Sequence, residues 1–144
     1  MDYQLPQTLP SACFRAYDIR GPVEKDALTP HVAYALGLAT GAEAIAHNET
    51  HVLVARDGRL SGQAMTDALC CGLRETGINV IFIGIVPSPV LYFATCTSES
   101  TQTGIMVTAS HNPGHHNGFK IVLAGVTLSA EGIQKLYQRI EQKD

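Results

Sequence analysis

The residues able to do chemistry concentrate in one run, Gly104-Ile105-Met106-Val107-Thr108-Ala109-Ser110-His111-Asn112-Pro113-Gly114-His115-His116-Asn117-Gly118-Phe119-Lys120. A serine hydroxyl is a weak nucleophile without a neighbouring base or metal. The glycine-flanked elbow that serves serine hydrolases is absent, because Thr108 and Asn112 stand where glycines would be. His111 is adjacent in sequence, and adjacent side chains usually point apart, so acyl transfer is not expected. The same serine fits a phosphate carrier better. A phosphoserine brings a charge of about −1.5 to −2 and three acceptor oxygens. It needs exposed amides, a cation and room. Gly114, Asn117 and Gly118 allow loop amides to turn toward an anion. Lys120 can act as a point charge or as a general acid or base. A plain hairpin-like loop with a lysine facing solvent fits the same residues, and spacing alone leaves both readings open. His111, His115 and His116 match no zinc-ligand spacing and have no cysteine or carboxylate beside them in sequence, so no zinc is expected there.

The elements that must position this run follow from hydrophobic periodicity. Residues 1–11 are polar, with Pro6 and Pro10, and read as a flexible arm; residues 12–144 read as one domain. Cys13 to Gly21 alternates like a strand, with Phe14 and Ala16 on one face and Arg15 and Tyr17 on the other. Taken alone it reads as an exposed extended segment ended by Gly21-Pro22. Thr29-Pro30 starts a helix that runs to about His47. His51 to Ala55 and Val80 to Ile85 read as buried strands. Ser61 is expected to cap the helix between them, which Gly77 closes. Pro87-Ser88-Pro89 opens a short helix to about Cys96. Gly104–Ala109 and Phe119–Leu123 are the third and fourth core strands. Only about ten residues separate them, too few for a helical crossover, so the last strand should run antiparallel. Ser129 is expected to cap a final helix with Ile133, Leu136, Tyr137 and Ile140 on one stripe.

Strands alternating with helices predict an α/β fold: a three-layer α/β/α sandwich on a mixed, mostly parallel four-stranded core sheet. Ligands in such sheets bind beyond the carboxyl ends of the strands. Residues 56–59, 87–89 and 110–118 all fall there and should share one face.

Bulk properties narrow the partners. The 144 residues are enough for one domain that folds without a metal or disulfide. Hydrophobic residues make up 45% and charged residues 16%, a globular balance. A net charge of −3 with no basic run argues against nucleic-acid binding. No apolar stretch reaches the ~18 residues of a membrane helix, and no signal peptide is evident. Cys13, Cys70, Cys71 and Cys96 form no C-x-x-C pair, which fits free thiols in a reducing compartment and a cytoplasmic location.

Several stretches resemble the α-D-phosphohexomutases. Thr108-Ala109-Ser110-His111-Asn112-Pro113, followed by Asn117-Gly118-Phe119-Lys120, is similar to that family's phosphoserine loop. Phe14-Arg15-Ala16-Tyr17-Asp18-Ile19-Arg20-Gly21 resembles its N-terminal signature, and Arg56-Asp57-Gly58-Arg59 with Ser61 also fits. The resemblance runs from about Phe14 onward and is greatest to the bacterial phosphomannomutase/phosphoglucomutase branch. It implies a first domain out of four arranged around a cleft. It also implies that Ser110 carries a phosphoryl group and exchanges it with a mannose or glucose 1- or 6-phosphate through a hexose 1,6-bisphosphate. Lys120 and Arg20 match positions near the reaction that also touch substrate. Tyr17 matches a substrate-contacting position, and His111 has a polar supporting role. Mg2+ is implied too, bound to Ser110 through its phosphate and to carboxylates of the second domain. This sequence has no acidic cluster of the D-x-D-x-D kind, so the isolated domain is expected to be inactive. The alternative is a stand-alone module that binds a phosphosugar or other anion without turnover.

Overall fold

The computed structural model describes residues 2–143, so Met1 of the expected arm and Asp144 of the expected domain lie outside the described residues. Residues 2–10 carry no helix or strand. They are nonetheless placed against the domain: Tyr3 stacks on Tyr34 with ring centroids 5.7 Å apart, and the Gln4 amide donates to His31 Nδ1 at 3.3 Å. A single 3-10 turn, Ser11–Cys13, leads into the domain.

The strands are β1 (Ile19–Pro22), β2 (His51–Arg56), β3 (Asn79–Ile85), β4 (Gly104–Val107), β5 (His116–Leu123) and β6 (Val126–Thr127). The helices are α1 (Pro30–Ala46), α2 (Gly62–Glu75), α3 (Ser88–Thr97) and α4 (Ala130–Gln142). Sheet order is β1-β5-β4-β2-β3, with β6 paired to β5. β2 runs parallel to β3 and β4; β5 runs antiparallel to β4, β1 and β6. The mixed sheet and the antiparallel turn at β5 agree with the sequence. The strand count does not: the sheet has six strands rather than four. The extended segment before Pro22 joins the sheet as β1, with Ile19 opposite Phe119 and both fully buried. Phe14 and Ala16, expected on one face, differ in burial: Phe14 is buried and Ala16 exposed. The chain turns tightly from Phe14 back to Ile19, and the Arg15 amide donates to the Asp18 carbonyl at 2.9 Å.

Alternation along the strands splits the core. Val52, Val54, Ile105, Val107, Phe119 and Ile121 face α1, α2 and α4. Leu53, Ala55 and Met106 face α3 through Leu91. β3 is not buried as its apolar run predicted. It is the outer strand, and Phe82 is 50% exposed. An apolar run reads alike in a central and an edge strand, and only the pairing order separates them. The β2–β3 register also shifts here: Val54 pairs with Phe82 and Ala55 with Gly84 (φ 112°), which leaves Ile83 as the extra residue on the edge strand.

Helix starts follow the sequence unevenly. Thr29 Oγ1 accepts the Val32 amide at 3.2 Å, as the Thr-Pro signal predicts. Ser61 sits at the N-cap of α2, but its hydroxyl accepts from Asn117 Nδ2 at 2.9 Å instead of capping. Ser129 precedes α4 without a side-chain cap bond, and α3 starts at Ser88 itself after Pro87. α1 and α2 meet backbone to backbone at Gly37 and Gly72: a Cβ on Gly37 would run into the Leu69 carbonyl, and one on Gly72 into the Tyr34 carbonyl.

α4 is tied to α1 by a buried carboxylate. Glu43, 3% exposed, accepts from Lys135 Nζ at 3.1 Å and from Arg139 Nη2 at 2.7 Å. Burial alone would raise its pKa, but the hydrogen bonds from Arg139 and Lys135 outweigh burial and hold it below the ordinary value. A depressed folded pKa contributes stability above the unfolded pKa and loses it as pH falls through the folded value. The urea midpoint of the chain should therefore fall as pH drops below about 4.3, the unfolded Glu value. Glu43→Gln should lower the midpoint at neutral pH and flatten this acid limb. Parallel acid limbs in both proteins would rule out Glu43 as the source.

Candidate active site

Three strand ends converge as expected. Beyond β4, the Thr108 amide donates to the Gly118 carbonyl at 2.9 Å and the Asp57 amide to the Val107 carbonyl at 3.1 Å. Beyond β2, the Val86 amide donates to the Arg56 carbonyl at 3.0 Å. Ser110 sits at the exit of β4, exposed, with φ of 54°. A non-glycine residue in the left-handed region persists only where its surroundings hold it. Its amide donates to Thr108 Oγ1 at 3.0 Å, and that hydroxyl donates to Asp57 Oδ2 at 2.6 Å. The loop then closes on itself, with the Asn112 amide donating to the Ala109 carbonyl at 3.0 Å.

Arg59 holds the whole loop from outside. Its Nη1 donates to the Pro113 and His116 carbonyls at 2.7 and 3.2 Å, and its Nη2 to the Ser110 and Asn112 carbonyls, both at 2.9 Å. Asp57 pairs with its Nε at 3.3 Å. The planar guanidinium thus ties together loop carbonyls that would otherwise repel one another. The short turn after β2 places Arg59 for this. Nothing in its spacing signals the role, since its partners lie 51 to 57 residues away.

On the α3 side of the sheet a charged cluster lies next to the loop. Arg20 is opposite Gly118, and Lys120 follows two positions along β5. A Cβ on Gly118 would collide with the Ile19 carbonyl, so glycine lets β1 and the loop approach. Asp18 Oδ2 accepts from Arg20 through Nε at 2.9 Å and also through Nη2, and from Lys120 Nζ at 3.2 Å. Arg20 Nη1 donates to Asn112 Oδ1 at 2.9 Å, which joins the cluster to the serine loop. Lys120 is only partly exposed and does not face open solvent. On α3, burial and then the Asp18 charge raise the Tyr92 phenol above its ordinary value.

The expected residues are only partly brought together. Arg20 and Lys120 meet on Asp18, and Arg20 reaches the loop. Ser110 and His111 are exposed, and neither side chain has a hydrogen-bond partner among the described residues. Tyr17 lies on the tight turn before β1, next in sequence to Asp18, and is 79% exposed. The loop amides are also less available than the sequence implied: those of Ser110, Asn112, His116 and Gly118 bond within the protein. Positive charge at the site therefore comes chiefly from Arg20 and Lys120. Asp18, Asp57, Arg59 and Thr108 also line the candidate site through the bonds above, and sequence reasoning assigned none of them a role. Among the described residues, no group of three or more His, Cys, Asp or Glu side chains is placed to hold a metal ion.

A family model described as "Phosphoglucomutase/phosphomannomutase, alpha/beta/alpha domain I" matches residues 11–144. The chain belongs to that family. It is 52% identical over 137 residues to the phosphomannomutase/phosphoglucomutase of Pseudomonas aeruginosa, covering 95% of this chain and 29% of that protein. It is 46% identical over 129 residues to a phosphoglucomutase of Neisseria meningitidis serogroup B, covering 90% of this chain and 28% of that protein. A crystal structure of a phosphoglucomutase/phosphomannomutase family protein from Burkholderia thailandensis superposes with a TM-score of 0.89 at 43% identity, over 94% of this chain and 31% of that one. The chain thus spans under a third of the length of these relatives. No helix among the described residues is long and apolar enough to cross a membrane.

Proposed function

We propose that this domain supplies the phosphoryl-carrying half of a phosphohexomutase active site. The observation that carries the reading is Ser110: an exposed hydroxyl in a left-handed turn at a strand end, braced by Arg59 and joined through Asn112 to Arg20 and Lys120. Phospho-Ser110 gives its phosphoryl group to a hydroxyl of a mannose or glucose 1- or 6-phosphate. The P–Oγ bond breaks as the new P–O bond forms; the sugar hydroxyl gives up its proton and the departing Ser110 Oγ takes one up, so the step is proton-neutral. The hexose 1,6-bisphosphate that results returns its other phosphoryl group to Ser110. Such transfers depend on positioning and on charges that meet the phosphoryl oxygens. Arg20 and Lys120 supply those charges, Tyr17 contacts the sugar, and His111 lends polar support beside the serine. Magnesium belongs to the same proposal: it would neutralise phosphate charge, with Ser110 offering one ligand through its phosphate and carboxylates from outside this chain the others. A cytoplasmic setting fits the four free cysteines.

The test is turnover. A full-length polypeptide carrying this domain should interconvert hexose 1- and 6-phosphates when primed with bisphosphate and magnesium; its failure with both glucose and mannose phosphates would overturn the reading. In that protein Lys120→Met should lower kcat more than it raises KM, because its charge is needed chiefly in the transition state. A change confined to KM would make Lys120 a plain binding residue.

A further inference from the structure

We propose that Asp18 is a positioning residue that acts as the built-in counter-ion of the phosphate site, holding Arg20 and Lys120 in place while weakening the site's grip on anions. The inference rests on the reading of Ser110 as phosphate carrier. One carboxylate oxygen of Asp18, whose side chain is 7% exposed, accepts from both Arg20 and Lys120. The β1–β5 register makes these two cations diagonal neighbours on one face, where like charges repel unless a carboxylate lies between them. The shared carboxylate orients them from the protein side, as a buried charge pair with good geometry can. It also sets two positive charges against one negative, so the site is cationic enough to attract a phosphate and not so cationic as to hold it.

Two effects of opposite sign follow. Removing the Asp18 charge leaves Arg20 and Lys120 unopposed, and a unit charge removed at this range tightens anion binding by about ten-fold at moderate ionic strength, and by less as salt rises. The same change frees both side chains from their orientation and slows the chemical step, which depends on their placement. A residue that merely supported the fold would weaken binding and turnover together.

Asp18→Asn tests this in two assays. In NMR titrations of the 144-residue chain with inorganic phosphate, the variant should bind about ten-fold tighter than wild type. In the full-length mutase its kcat should fall by about ten-fold or more while KM for the hexose phosphate falls or holds. Phosphate affinity no tighter than wild type, or a raised KM with unchanged kcat, would overturn the counter-ion role. If wild type binds no phosphate at all, both the anion site and this inference fail; if wild type binds and only the tightening is missing, the inference alone fails. Should Asp18→Asn not fold, Asp18→Glu carries the test. It keeps the charge and moves it, so unchanged phosphate affinity with lowered kcat supports the role, and a loss of affinity as large as the loss of kcat overturns it.

Discussion

Ser110→Ala is expected to abolish turnover in a full-length protein, by on the order of a thousand-fold or more, because the variant has no oxygen to carry the phosphoryl group. Stability should barely change. The hydroxyl is exposed, and the bonds that fix the residue run through its backbone: its amide to Thr108 and its carbonyl to Arg59. Alanine keeps both, and the left-handed turn at φ 54° is no harder for alanine than for serine. A melting temperature close to wild type together with lost activity is the expected pair. Residual turnover within ten-fold of wild type would mean that the phosphoryl group travels by another route.

Arg59→Ala should have the largest structural effect at the site. The substitution leaves four loop carbonyls without their shared donor and Asp57 without its cation. Hydrogen bonds to a charged group are individually worth about 1.5–3 kcal/mol, and bonds to one guanidinium do not add fully, so a loss of about 2–4 kcal/mol in urea unfolding is expected. Hydrogen exchange should rise over residues 110–116 in particular, while β2 and β4 stay protected. Turnover in the full-length protein should drop further than stability alone explains, since Ser110 loses its fixed backbone. Arg59→Lys should recover only part of this, because an ammonium cannot span the same set of carbonyls. Stability within about 0.5 kcal/mol of wild type, the range of an ordinary surface change, would contradict the role.

The fold was legible where local chemistry is strong. Thr29-Pro30 marked α1, the stripe at Ile133, Leu136 and Ile140 marked α4, and the short link between β4 and β5 forced an antiparallel pair. Long-range order was not legible. The segment before Pro22 reads as exposed in isolation and becomes β1 only because β5 offers it an edge. The apolar run of β3 looks central and is peripheral, because its place depends on which strands pair elsewhere. At the site, Ser110 and Lys120 stood out by their place in one loop, and Arg20 by family resemblance. Arg59 and Asp18 did not. Each acts through partners far away in sequence, and a turn arginine or a strand-end aspartate carries no spacing that announces four carbonyls or two cations.

The claim that Ser110 carries the phosphoryl group is tested most directly by locating it. The full-length protein would be incubated with a hexose 1,6-bisphosphate and magnesium, then digested and sequenced by mass spectrometry. The account predicts one phosphoryl group, on Ser110, and, when the bisphosphate carries an isotopic phosphate label, loss of that label from Ser110 once excess unlabelled hexose monophosphate is added. A phosphoryl group that turns over on any other residue, with Ser110 unmodified, would contradict it.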